Sequence, residues 1–122
     1  MLDSKKIFSI TDVSNISGFS AHTLRFYEKI GLMPFVKRSA SGKRIYDEYD
    51  VQILKSISVF KKTGMTNKQI KDLGSLYLEG NKKVKEQRDL LLSHKEDITK
   101  KIDELSEALD IIEEKLEKSC FL

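Results

Sequence analysis

From Asn81 onward the chain holds neither glycine nor proline, and apolar residues return every seven positions: Val84, Leu91, Ile98, Leu105 and Ile112. Ile102, Leu109 and Leu116 supply a second register, so positions 98, 102, 105, 109, 112 and 116 alternate steps of four and three. That alternation keeps a narrow apolar stripe on one side of a helix, which is the seam of a coiled coil. A helix from Lys82 to Lys118 would run about 55 Å at 1.5 Å per residue. It cannot cover its own stripe, and the chain before it is too short to cover the distal half. The stripe calls for a second copy of the chain, with Leu91, Ile98, Ile102, Leu105, Leu109, Ile112 and Leu116 as dimerisation residues. Before Ile98 the seam weakens, because Arg88 and Lys95 stand in its second register beside the apolar run Leu90, Leu91 and Leu92. That part is expected to pack against a globular domain.

The first 80 residues read as that domain, followed by the long helix over 81–118 and a tail over 119–122. Ser9 is an N-cap with Asp12 three residues on, and Ile10, Val13 and Ile16 follow at helical spacing until Gly18. Ser20 caps a second helix over about Ala21 to Ile30, stopped by Gly31 and Pro34. The interval Ser17-Gly18-Phe19-Ser20 is the right length for the turn of a helix-turn-helix. Phe35 to Tyr46 holds apolar and basic residues on either side of Ser39, Ala40, Ser41 and Gly42, the composition of a turn between two short extended segments. Asp47 caps a third helix through Thr63 with Val51, Leu54 and Ile57 inward, and Gly64 ends it. Thr66 and Gln69 form a capping box for a fourth, lined by Ile70, Leu73 and Leu76 and closed at Gly80. The fold class is therefore mainly α: a winged helix-turn-helix followed by a long dimerisation helix.

Charge is divided unevenly along the chain. Residues 1–78 carry 13 Lys and Arg against 7 Asp and Glu, whereas residues 79–122 carry 9 against 12. The basic half is a plausible footprint for nucleic acid. The basic residues gather around the second helix and the hairpin: His22, Thr23, Arg25 and Tyr27 on the helix, and Lys37, Arg38, Lys43, Arg44 and Tyr46 on the wing. One element suits a groove and the other its flanking phosphates. Arg44 has an alternative role as a structural partner of Asp50 or Glu48, and Tyr27 as half core. An enzyme is disfavoured, since no phosphate loop, metal-ligand cluster or nucleophile–base pair is legible. No apolar run suits a membrane span and no signal-peptide core opens the chain, so the expected location is the cytoplasm. The alternatives are an architectural or excisionase-like DNA binder, and a coiled-coil adaptor that does not bind DNA.

Four segments resemble the MerR family of transcriptional regulators: I-T-D-V-S-N-I-S-G-F-S, H-T-L-R-F-Y-E-K-I-G-L, S-G-K-R-I-Y-D-E-Y-D and K-K-T-G-M-T-N-K-Q-I-K. The block T-L-R-F-Y-E-K-I-G-L followed by a wing of the form R-x-Y-x-x-x-D (Arg44, Tyr46, Asp50) is specific. The resemblance implies a homodimer joined by an antiparallel coiled coil. Its partners would be double-stranded promoter DNA and RNA polymerase. Thr23 and Arg25 would enter the groove, with Arg25 reading a base edge. His22 and Tyr27 would contact phosphates or sugars, and Arg38, Lys43, Arg44 and Tyr46 would grip backbone. Lys61, Lys62 and Lys68 match the family's second wing. Members of this family bend and untwist an over-long promoter spacer so that polymerase can use both flanking elements.

The signal is less legible. Metal-sensing members carry cysteines at the start of the long helix, where this chain has Glu79, Gly80 and Asn81. No metal or other cofactor is expected, because one thiol per chain is a poor soft-metal site. Members with drug-binding domains carry them after the coiled coil, and the expectation here is a short form without one. The segment S-L-Y-L-E-G-N-K-K-V-K-E-Q-R-D-L-L resembles a branch of thiol-based electrophile sensors, but the position of their third-helix cysteine is Val59. Cys120 is the substitute redox candidate, against the plainer reading of an incidental tail residue.

Overall fold

The computed structural model describes residues 6–119, leaving aside the side chains of Tyr77, Leu78 and Asn81. Cys120, the candidate redox residue, lies outside the described residues. The chain is mainly helical and divides into two compact units, the first ending at Leu78 and the second beginning at Glu79.

The first unit runs α1 (Ile10–Ser17), α2 (Ala21–Lys29), β1 (Lys37–Arg38), β2 (Arg44–Ile45), α3 (Glu48–Lys62) and α4 (Asn67–Leu78). Local chemistry sets most of these boundaries. Ser9 accepts from the Asp12 N–H while Asp12 accepts from the Ser9 N–H, so two orphan donors at the start of α1 are satisfied reciprocally. Asp47 and Asp50 repeat the device at α3, and Thr66 with Gln69 at α4. Ser20 caps α2 by accepting from the Thr23 N–H at 3.1 Å. α2 stops at Gly31, whose N–H donates to the Glu28 carbonyl while the Leu32 N–H reaches back to the Tyr27 carbonyl. That Schellman pairing needs a left-handed residue, and Gly31 supplies it at φ 84°. The same pair of bonds ends α3, from Gly64 to Lys61 and from Met65 to Phe60.

The α1–α2 turn is held by the Gly18 N–H on the Ser14 carbonyl and by the Ser14 hydroxyl on the Phe19 carbonyl at 2.6 Å. The hairpin is minimal. Lys37 pairs with Ile45 and Arg38 with Arg44, antiparallel, and Phe8 adds a bridge to Tyr46 on the far side. The core sits beneath, built from Val13, Leu24, Tyr27, Met33, Tyr46, Leu54 and their neighbours. Val51, Leu54 and Ile57 of α3 and Ile70 and Leu73 of α4 face inward, as their spacing predicts.

The second unit is a 3-10 turn, Gly80–Lys83, and α5, Val84–Lys118. The expected closure of the fourth helix at Gly80 is corrected: α4 ends at Leu78, and Gly80, at φ 61°, opens the turn that precedes α5. No residue of α5 is buried. Ile102, Leu105, Leu109, Ile112 and Leu116 stand exposed along it, Leu105 at 65% and Leu116 at 73%. Among the described residues, no helix is long and apolar enough to cross a membrane.

Candidate nucleic-acid interface

Helical spacing divides α2 into two faces. Leu24 and Tyr27 point into the core, which leaves His22, Arg25, Phe26 and Lys29, related by steps of three and four, on the opposite side. All four are exposed. Together with Glu28 and Arg44 they line an open concavity of about 460 Å³. Thr23 is half-buried at the edge of this face, and its hydroxyl accepts a hydrogen bond from Ser20 at 3.0 Å. The cap that starts the helix therefore also holds Thr23.

The wing stands beside α2. Lys37, Arg38 and Lys43 are exposed on it, and Arg44 is half-buried. The turn is internally braced: the Ser39 N–H donates to the Lys43 carbonyl, Gly42 to Ser39, and the Ser39 hydroxyl accepts from the Lys43 N–H. One carboxylate links wing to helix. Glu28 Oε1 accepts from Arg38 Nη2 at 2.9 Å, and Glu28 Oε2 accepts from Arg44 Nε. Arg38 Nη1 also donates to the Gly42 carbonyl at 3.2 Å.

Three expectations change here. Tyr46 was expected to grip DNA backbone, but it is 1% exposed and belongs to the hydrophobic core, with its backbone paired to Phe8. Tyr27, expected at phosphates or sugars, is 5% exposed and packs edge-on against Phe19 with ring centroids 5.2 Å apart. Burial pushes both phenols up from their ordinary pKa. Arg44 does have a structural partner, but that partner is Glu28 across sixteen positions and not Asp50 or Glu48. Asp50 belongs to the cap of α3; burial holds its carboxyl above the ordinary value, against the opposing hydrogen bond from the Asp47 N–H.

Sequence reasoning missed Glu28 and Phe26. The signal for Phe26 was present, since two positions past Leu24 and one before Tyr27 it falls off the buried face, and it is 44% exposed. Lys61 and Lys62, in the last turn of α3, and Lys68, in the first turn of α4, are all exposed. Among the described residues, no three His, Cys, Asp or Glu gather as a metal site.

Residues 8–75 match the profile of the MerR HTH family regulatory proteins. The chain belongs to the MerR family. An HTH-type transcriptional regulator from Haemophilus influenzae is 37% identical over 99 residues, covering 81% of this chain and 73% of its own. The regulator YyaN of Bacillus subtilis is 34% identical and spans 91% of this chain and 89% of its own. The crystal structure of HiNmlR, a MerR family regulator lacking the sensor domain, bound to promoter DNA, superposes with a TM-score of 0.85 at 33% identity. That match covers 91% of this chain and 88% of HiNmlR. These MerR relatives are transcriptional regulators, and the winged helix-turn-helix with its long C-terminal helix is the shared architecture.

Proposed function

We propose that this chain is a promoter-binding regulator acting as a homodimer, with α2 in a major groove and the β1–β2 wing on the adjoining phosphates. The observation that carries the reading is the continuous outward face of His22, Arg25, Phe26 and Lys29 beside the basic wing. Arg25 is the base reader, because an exposed guanidinium on a groove-facing helix can donate twice to guanine. Lys37, Arg38 and Lys43 supply charge for phosphates, and His22 and Thr23 lie beside Arg25 on the helix. Arg44 acts from within the concavity.

The exposed stripe of α5 supports the dimer. Pairing two such helices, antiparallel in this reading, buries Ile98, Ile102, Leu105, Leu109, Ile112 and Leu116 against their counterparts. A dimer presents two α2 helices to two half-sites, so the site is a pseudo-palindrome. Holding both half-sites from one rigid seam bends and untwists the spacer between promoter elements; the deformation energy is offset by contacts at both ends and determines access for RNA polymerase. The likeness to HiNmlR, which was crystallised on promoter DNA, supports the same partner here.

Footprinting the purified protein on the DNA upstream of its own gene and its neighbours tests the proposal. The expected result is protection on both sides of an over-long promoter spacer, with hypersensitive positions at its centre. Salt-sensitive binding without a specific footprint would favour an architectural, excisionase-like binder. No binding at low salt would overturn the reading in favour of a coiled-coil adaptor.

A further inference from the structure

The outward face of α2 and the wing is basic, yet a carboxylate sits at its centre. Each oxygen of Glu28 holds a different strand: Oε1 takes β1 through Arg38, and Oε2 takes β2 through Arg44. Each strand is two residues long, and a two-stranded hairpin is marginal by itself. Glu28 and Arg44 are similarly sheltered, with side chains 22% and 23% exposed, so their pairing is less screened than one between free surface chains. Phosphate repels a carboxylate on a DNA-facing surface. Glu28 therefore weakens the general attraction for nucleic acid, and its position points to a compensating role.

We infer that Glu28 is a positioning residue that trades general affinity for discrimination. It fixes the wing against α2, and it orients Arg44 by engaging Nε. Among the described residues the two terminal nitrogens of Arg44 carry no hydrogen bond, which leaves the end of the guanidinium fork for a phosphate. With the wing fixed, phosphate contacts and base contacts must be satisfied in one geometry, and only a matching duplex does both. Without Glu28 the wing is released and two arginines face any duplex with their full charge.

This inference rests on the DNA-binding reading, and its test separates the two. The full-length protein selects duplexes from a pool with a randomised core, and affinities for the winning duplex and for an unrelated duplex are measured across salt concentration. For Glu28→Gln the unrelated duplex should bind more tightly, with a salt slope steeper by about one phosphate equivalent, roughly 0.9 in log–log terms. The preference for the winning duplex should fall by roughly tenfold, the scale of one lost well-formed contact. Glu28→Asp keeps the charge but is too short to bridge both arginines; it should restore the slope and recover the preference only in part. Leu54→Ala, a buried change in α3, controls for lost stability and should leave slope and preference alone. A parent that enriches no sequence overturns the regulator reading and this inference together. A discriminating parent whose Glu28→Gln and Glu28→Asp forms keep its slope and preference overturns this inference alone; should Glu28→Gln not fold, Glu28→Asp decides by its preference.

Discussion

Arg25 and Tyr46 carry opposite lessons about single residues. Arg25 is exposed on the outer face of α2, and truncating it removes the guanidinium while leaving the buried core of Leu24 and Tyr27 in place. Arg25→Ala is expected to lose about 1–3 kcal/mol on the selected duplex and to relax discrimination at one base pair, as titration of single-base variants would show. The Tyr46 hydroxyl is buried and has no hydrogen-bond partner among the described residues. Tyr46→Phe keeps the ring and removes an unsatisfied group, so melting temperature should hold or rise while DNA affinity stays unchanged. A weaker affinity would return Tyr46 to the contact surface. Asp50 gives a pH signature. Its raised pKa means the folded state holds the proton more tightly than the unfolded chain, so that stability is complete below the ordinary value of 3.8 and is lost as pH rises through the raised one. Asp50→Asn removes the titration and can still accept from the Asp47 N–H. Denaturant melts from acid to neutral pH should show the variant gaining on the parent as pH rises, then levelling. At this scale the basic cluster was legible in the sequence, but Glu28 was not. Its partners lie ten and sixteen positions away, and nothing local announces a pairing across a turn.

Among the elements, the helix starts were the most legible, because capping is decided within four residues: Ser9 with Asp12, Ser20 with Thr23, Asp47 with Asp50, Thr66 with Gln69. Ser20→Ala should lower stability by about 1 kcal/mol, measured by thermal or denaturant melts, since it removes the acceptor for the Thr23 N–H. The wing was legible as a hairpin but not in its extent. Strand length depends on which residues find partners, and here only two pairs do, with Phe8 supplied from before α1. Gly80 misled the reading of the α4–α5 junction because glycine marks both the end of a helix and the start of a turn. Its positive φ serves the turn.

At the scale of the whole molecule, α5 carries the seam of the proposed dimer. Its stripe stands exposed at Ile102, Leu105, Leu109, Ile112 and Leu116. Leu105→Lys would place a charge in the middle of the proposed seam, at a position 65% exposed in the single chain. The expected outcome is a folded first unit with loss of the dimer by sedimentation equilibrium, and loss of footprinting at concentrations where the parent protects. An unchanged dimer mass would remove Leu105 from the interface. The heptad pattern made this helix readable because it depends on spacing alone. Its pairing direction is not encoded in spacing, and so it enters as part of the proposal.

The unbroken course of α5 over 35 residues also limits how such a chain can change length in evolution. Each inserted or deleted residue turns everything beyond it by about 100° around the helix axis. One such event between Leu91 and Ile98 would swing the distal leucines out of the proposed seam, whereas a step of seven leaves them within about 20°. Surviving lineages should therefore differ across this helix by whole heptads, while the Ser39–Gly42 turn, bound by no such arithmetic, absorbs irregular insertions.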